Sequence, residues 1–222
     1  MDHAVYRRIL SGGIIAICRR IALDDLLPLA SSLYEGGIRQ LEVTFDQSDP
    51  DHIRHTCGAI TQLCSALPEM DIGAGTVLTV REAEAAKAAG GRFIVSPSTD
   101  PAVIARTKEL GMVSIPGAMT PSEIVTAHQS GADIVKVFPV GRLGPGYIKD
   151  IATPLSHIRL LATAGITVDN FAQFLQAGCC GAGISSPLCR KDLMEEKNWK
   201  ALTAIAAEFV AIHRQFSSVD PL

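Results

Sequence analysis

Gly111-Met112-Val113-Ser114-Ile115-Pro116, then Thr120-Pro121-Ser122-Glu123, then Gly131, then Asp133-Ile134-Val135-Lys136-Val137-Phe138: residues 111–138 decide how the chain reads. Two short apolar runs, rich in β-branched residues, flank a segment that opens like a helix and closes on a glycine. Thr120 supplies an N-cap oxygen, and Pro121 sits where a missing N–H costs nothing. Gly131 suits the left-handed residue that ends a helix. The unit is strand, helix, strand, and the second strand carries a lysine in its centre. An ammonium placed there loses hydration, which favours the neutral amine and lowers its pKa. A neutral lysine can condense with a ketone as a Schiff base. The plainer alternative is a side chain that snorkels to water from the strand end.

The same unit recurs along the chain. Runs at 13–18, 38–43, 70–74, 92–96, 112–116, 133–138, 158–162 and 179–184 read as strands, with helices near 23–35, 50–66, 80–89, 101–110, 121–130, 146–153 and 168–177 between them. Gly36-Gly37, Gly90-Gly91, Gly111, Gly131 and Gly178 mark helix ends, and Asp100-Pro101 repeats the capping pattern of Thr120-Pro121. A final helix over 192–216 lines up Trp199, Leu202, Ile205, Phe209, Ile212 and Phe216 on one stripe, as expected of a helix closing a core. No linker divides the chain, so 1–222 reads as one domain. Strict βα alternation predicts either an open doubly wound sheet or a closed ring. Eight repeats, and a first strand without a Gly-x-Gly-x-x-Gly turn, favour a compact (β/α)8 TIM barrel.

Composition narrows the classes of partner. With 222 residues and 47% hydrophobic side chains the chain can bury a large core. Twenty Lys plus Arg against 23 Asp plus Glu, interspersed, leave no basic face for nucleic acid or an anionic membrane. No apolar stretch reaches the roughly 20 residues of a membrane span. The start, from Met1 to Arg8, does not read as a signal peptide. The six cysteines show no Cys-x-x-Cys and no zinc spacing. Cys57 and Cys64 share a helix face and read as small hydrophobes, whereas Cys179 and Cys180 should face opposite sides of a strand. The histidines lack ligand spacing, so neither a metal nor another cofactor is expected, and a reduced, cytoplasmic setting fits.

In such barrels chemistry gathers at the carboxyl ends of the strands. Here those ends carry Glu42 and Thr44, Gly75-Thr76, Ser96-Pro97, Pro116-Gly117, Lys136, Thr163-Ala164-Gly165 and Ser185-Ser186. Glu42, a carboxylate in the apolar run Leu41-Glu42-Val43, pairs with Lys136 as a candidate proton shuttle; a rim salt bridge to Arg39 is the structural alternative. The small residues after the seventh and eighth strands, Thr163-Ala164-Gly165 and Gly181-Ala182-Gly183-Ile184-Ser185, bring backbone N–H groups close enough for a phosphate, and the latter turn could open a short helix. Gly75-Thr76 could hold a small carboxylate, although a helix cap is the plainer role for Thr76. Arg19 and Arg20 could set a guanidinium over the mouth.

At these residues the chain resembles the 2-keto-3-deoxy-6-phosphogluconate and 4-hydroxy-2-oxoglutarate aldolases. The matching stretches are Glu35-Gly36-Gly37-Ile38, Leu41-Glu42-Val43-Thr44, Ile72-Gly73-Ala74-Gly75-Thr76-Val77, Phe93-Ile94-Val95-Ser96-Pro97, Ile115-Pro116-Gly117-Ala118-Met119-Thr120-Pro121-Ser122-Glu123 and Val135-Lys136-Val137-Phe138-Pro139. The resemblance implies a trimeric barrel lyase that splits a 2-keto-4-hydroxy acid into pyruvate and an aldehyde. It implies Lys136 as the Schiff-base lysine, Glu42 as the acid/base and Thr76 as a ligand of the keto-acid carboxylate. Pro97 and Phe138 would line the pocket, with Thr163, Gly165 and Ser185 at the phosphate. Phe45-Asp46-Gln47 stands where many members carry an arginine, and Arg19 aligns with an arginine that some members use. Ala164 replaces the first of two glycines. A galactonate-derived substrate, a barrel isomerase or epimerase with Glu42 as base, and a non-catalytic sugar-acid sensor are the other readings.

Overall fold

A computed structural model describes residues 2–216; Met1 and 217–222, which the one-domain reading also spans, lie outside the described residues. Among the described residues nine strands form: β1 (Ile14–Cys18), β2 (Gln40–Thr44), β3 (Asp71–Gly75), β4 (Phe93–Val95), β5 (Val113–Ile115), β6 (Gly117–Ala118), β7 (Val135–Val137), β8 (Leu160–Thr163) and β9 (Cys179–Ile184). The helices are α1 (His3–Gly12), α2 (Leu23–Glu35), α3 (His52–Ala66), α4 (Val80–Ala88), α5 (Pro101–Glu109), α6 (Pro121–Gln129), α7 (Gly144–Ala152), α8 (Val168–Gln176), α9 (Lys191–Glu195) and α10 (Trp199–Arg214).

All strand pairs are parallel, in the order β5-β4-β3-β2-β1-β9-β8-β7-β6. β5 and β6 are two pieces of one strand interrupted at Pro116, where a ladder N–H is missing. β5 pairs with β4, β6 pairs with β7, and the Pro116 carbonyl accepts from Lys136 N at 2.9 Å. The ring therefore closes with eight staves, a (β/α)8 barrel; the open doubly wound sheet is excluded.

Local signals explain the helices. Thr79 and Thr120 each accept from the N–H three residues on, and Glu82 and Glu123 return the bond, so both form capping boxes. Asp100 caps α5 ahead of Pro101. Gly37, Gly90, Gly111, Gly131 and Gly178 all have positive φ, the conformation that ends their helices. Cys57 and Cys64 pack against the layer between strands and helices, and all six cysteines are free.

Two elements depart from the sequence reading. The stretch 192–216 is not one helix. It breaks into α9 and α10 at Lys197, which takes φ +54°, and Asn198 then caps the second piece. The unexpected α1, capped by Asp2 and ended by Gly13 (φ +65°), closes the amino-terminal end of the ring. Its Val5 and Ile9 join Ile15, Phe93, Val113, Ile134 and Leu161 inside the barrel. Arg8 of α1 and Arg92 grip Asp71 at 2.7 and 2.9 Å, and Asp71 itself is fully buried. Burial raises that carboxyl, but the two guanidiniums outweigh it and hold it below the usual carboxylate range.

Candidate active site

Among the described residues α1 fills the amino-terminal end of the ring, leaving the carboxyl ends of the strands as the other end. Lys136 and Glu42 face each other there: β2 and β7 stand half a turn apart in an eight-stave ring, three staves between them on either side. The two side chains are almost wholly buried, with 5% of Lys136 and 2% of Glu42 exposed. Neither makes a hydrogen bond or an ion pair within 4 Å among the described residues, yet each feels the other's charge. Burial pulls the Lys136 pKa below the ordinary lysine range; Glu42 pulls it back and Arg19 adds to the fall. Burial likewise pushes the Glu42 carboxyl up, opposed by Lys136 and Arg19. Burial thus moves both groups toward their uncharged forms, an amine able to add to a ketone and a carboxyl able to give up a proton. The rim salt bridge with Arg39 does not form, because Arg39 donates to the Tyr34 and Ile38 carbonyls and lies over the Tyr34 ring.

The neighbours give the pair its room. A Cβ at Gly75 would lie 1.7 Å from Glu42 Oε1, so only glycine lets that carboxylate occupy its place. The Phe138 ring centroid is 4.9 Å from Lys136 Nζ, a cation–π contact available to the charged amine. The backbone of Pro97 abuts Gly117, the residue in register with Lys136. Thr163 is 4% exposed and its Oγ1 has no hydrogen-bond partner among the described residues.

Strain collects on the same rim. Arg20, Thr76 and Ala164 have φ of +52°, +57° and +73°, each just past the end of a strand. Thr76 is not a helix cap, since Thr79 caps α4; its carbonyl is instead held by Gln47 Nε2 at 3.0 Å. Ala164 precedes Gly165 (φ +76°), so the Thr163-Ala164-Gly165 turn bends through two left-handed residues, one of them carrying a methyl group. Ala164→Gly should therefore stabilise the fold by about 1 kcal/mol, a rise of about 2–4 °C in thermal denaturation.

Arg19 and Ser185 occupy the mouth differently from one another. Arg19 is exposed and lines a cleft of about 420 Å³ together with Thr44, Phe45, Asp46, Gln47 and Thr76. Ser185 Oγ donates to the Ile17 carbonyl at 3.0 Å, so its proton is already committed and its oxygen can only accept. Residues 186–189 continue as a turn; the short helix considered after the eighth strand does not begin until Lys191. The acid that stands for an arginine, Asp46, accepts from Ser48 and is paired with Arg20 at 2.8 Å, and these two partners hold its pKa at about 2. Gln47, read in the sequence only as part of the stretch that lacks an arginine, and Glu82, not singled out there, hold the Thr76 turn; Thr79-x-x-Glu82 has the capping-box spacing, but its link to Gln47 depends on the fold.

A closed parallel barrel that sets a buried amine against a buried carboxylate at its open end has the architecture of an imine-forming barrel enzyme. The chain belongs to the KDPG and KHG aldolase family, whose model matches residues 5–205. The 2-dehydro-3-deoxy-6-phosphogalactonate aldolase of Escherichia coli strain K12 is 33% identical over 204 residues, 91% of this chain and 95% of that one. The 2-dehydro-3-deoxy-phosphogluconate aldolase of Treponema pallidum is 38% identical over 154 residues, 69% of this chain and 70% of that one. A crystal structure of KDPG aldolase from Legionella pneumophila, with pyruvate captured as a covalent carbinolamine, superposes with a TM-score of 0.81 at 27% identity, covering 92% of this chain and 97% of that one.

Proposed function

We propose that this chain is a class I aldolase that cleaves 2-keto-3-deoxy-6-phosphogluconate, 4-hydroxy-2-oxoglutarate or both, giving pyruvate and either glyceraldehyde 3-phosphate or glyoxylate. The observation that carries the reading is the buried Lys136 amine, its pKa lowered by desolvation, facing the buried Glu42 carboxyl. The amine adds to the C2 ketone, and Glu42 gives its proton to the carbinolamine hydroxyl, which leaves as water to form the protonated imine. Glu42 takes the proton of the C4 hydroxyl, the C3–C4 bond breaks, and its electron pair moves into the imine to leave an enamine. The aldehyde departs, Glu42 returns the proton it took to C3 of the enamine, and water hydrolyses the resulting imine to release pyruvate and the free lysine. Gly75 and Thr76 hold the keto-acid carboxylate, Arg19 lends charge at the same rim, and Phe138 and Pro97 wall the reacting carbons. Thr163, Ala164, Gly165 and Ser185 receive the far end of the substrate.

Incubation with pyruvate and borohydride tests the reading: a reduced adduct forms on Lys136. A chain that cleaves its substrate while Lys136 stays unmodified has another mechanism.

A phosphogalactonate-derived acid is the second reading, favoured by the 33% identity to the Escherichia coli enzyme over 95% of its length. Cleavage rates for the two phosphorylated C4 epimers and for hydroxyoxoglutarate separate the readings. The homotrimeric assembly and the cytoplasmic setting belong to the same proposal: the trimer rests on the resemblance, the reduced setting on six cysteines without disulfide or zinc spacing; no described helix is long and apolar enough to cross a membrane.

A further inference from the structure

Glu82 is a buried carboxylate that the chemistry above does not use. It is 2% exposed, on α4, and its two oxygens are both engaged. Oε2 accepts from the N–H groups of Leu78 and Thr79 at 2.7 and 2.9 Å. Oε1 accepts from Gln47 Nε2 at 2.7 Å and lies 3.1 Å from His52 Nε2. Burial alone would raise this carboxyl, but the donations from Gln47, Leu78 and Thr79 outweigh it and keep it below the usual range. A helix cap needs only the contacts to residues 78 and 79. The additional partner, Gln47, comes from the loop after β2, the strand that carries Glu42.

Gln47 does two things with one amide. While it donates to Glu82, it also donates to the carbonyl of Thr76, at 3.0 Å. That carbonyl belongs to the residue held at φ +57° directly after Gly75, whose Cα faces Glu42. Fixing a peptide carbonyl fixes the plane of the peptide bond, and so the direction of the N–H that follows it. With Glu82 holding the far side of the turn through Leu78 and Thr79, residues 76–79 are pinned at both ends.

We infer that Gln47, braced by Glu82, is a positioning residue that holds the Gly75-Thr76 turn in the left-handed form that receives the substrate carboxylate. The inference rests on the aldolase reading and adds to it a residue that touches no substrate. The turn does not relax because its carbonyl is tied to a side chain from the neighbouring βα loop. Binding of the keto-acid end thereby depends on the strand that bears the acid/base.

The test uses Gln47→Leu, which keeps the bulk and removes the donor, and Gln47→Lys, which keeps a donor able to reach both Thr76 and Glu82. Gln47 is exposed, so neither variant disturbs the core. The readout is the pyruvate concentration that half-saturates borohydride trapping on Lys136, with KM and kcat for cleavage measured beside it. Gln47→Leu should raise both half-saturation and KM by about three- to tenfold, the worth of a lost hydrogen bond, leaving the saturated rates within about twofold; Gln47→Lys should restore most of the loss. Unchanged half-saturation in Gln47→Leu, or a fall in kcat with KM unmoved, overturns the inference while wild-type trapping keeps the aldolase reading standing. No trapping in the wild-type chain removes both.

Discussion

Lys136→Ala should reduce cleavage to background, a loss of at least about 10⁴-fold, as for removal of other covalent nucleophiles. Substrate loss and pyruvate release, followed together at saturating substrate, check the result. The reason lies in the strand. β7 is buried throughout, and its central side chain projects into the ring rather than toward the helices. A lysine there is stripped of water, which lowers its pKa from the ordinary lysine range and makes the neutral amine easier to reach than on an exposed lysine. Methionine or arginine at this position should fail equally: the first cannot add to a ketone and the second stays protonated. Substrate loss without pyruvate release in Lys136→Ala would mean that Glu42 works as a base without an imine, the chemistry of an isomerase; surviving pyruvate release would mean cleavage by a route without a Lys136 imine.

Glu42→Gln should lower kcat by about 10²–10⁴-fold, the range typical of a positioned acid/base, with imine formation retained but slow. Glutamine preserves shape and the contact with Gly75, so the loss reports proton transfer rather than packing. The same variant carries a signature in stability. Because burial raises the folded-state pKa of Glu42, the folded chain holds a proton that the unfolded chain has already released. The stability this provides is fully present below the ordinary carboxyl pKa and is lost as pH rises through the raised value. The amide of the variant cannot titrate. Urea unfolding of the two chains at a series of pH values should therefore show Glu42→Gln gaining on wild type as pH climbs from the ordinary carboxyl range. A constant difference would place Glu42 in water, against its 2% exposure.

Much of this was legible in the sequence, for definite reasons. Strand and helix alternation survives translation into structure because four of the βα units, those of α4, α5, α6 and α8, are closed by local chemistry: a Thr or Asp cap at one end and a positive-φ glycine at the other. Lys136 and Glu42 stood out because a charge inside an apolar run has few ways to be tolerated. The facing of β2 and β7 followed only once the ring was counted as eight staves. What stayed hidden depends on contacts far apart in the chain. Val5 and Ile9 are too few to announce α1, although Asp2 and Gly13 bracket it with the usual caps. Nothing near Lys197 marks the break between α9 and α10 as clearly as a glycine would have. Gln47 is an ordinary polar loop residue until the fold carries Thr76 and Glu82 to it. Ser185 has the residue type for anion binding, but only the folded chain reveals that Ile17 has claimed its proton.

The helix that fills the amino-terminal end of the ring has a consequence for traffic. With Val5 and Ile9 packed into the interior and Asp71 clamped between two arginines beneath it, the vessel has a floor and no back door. Entrance and exit are one opening. On the proposed mechanism, pyruvate tethered to Lys136 would lie nearer the bottom, and the aldehyde nearer the lip. In cleavage the aldehyde must leave first; in synthesis the keto acid must enter first, and an aldehyde already seated at the lip would bar its way.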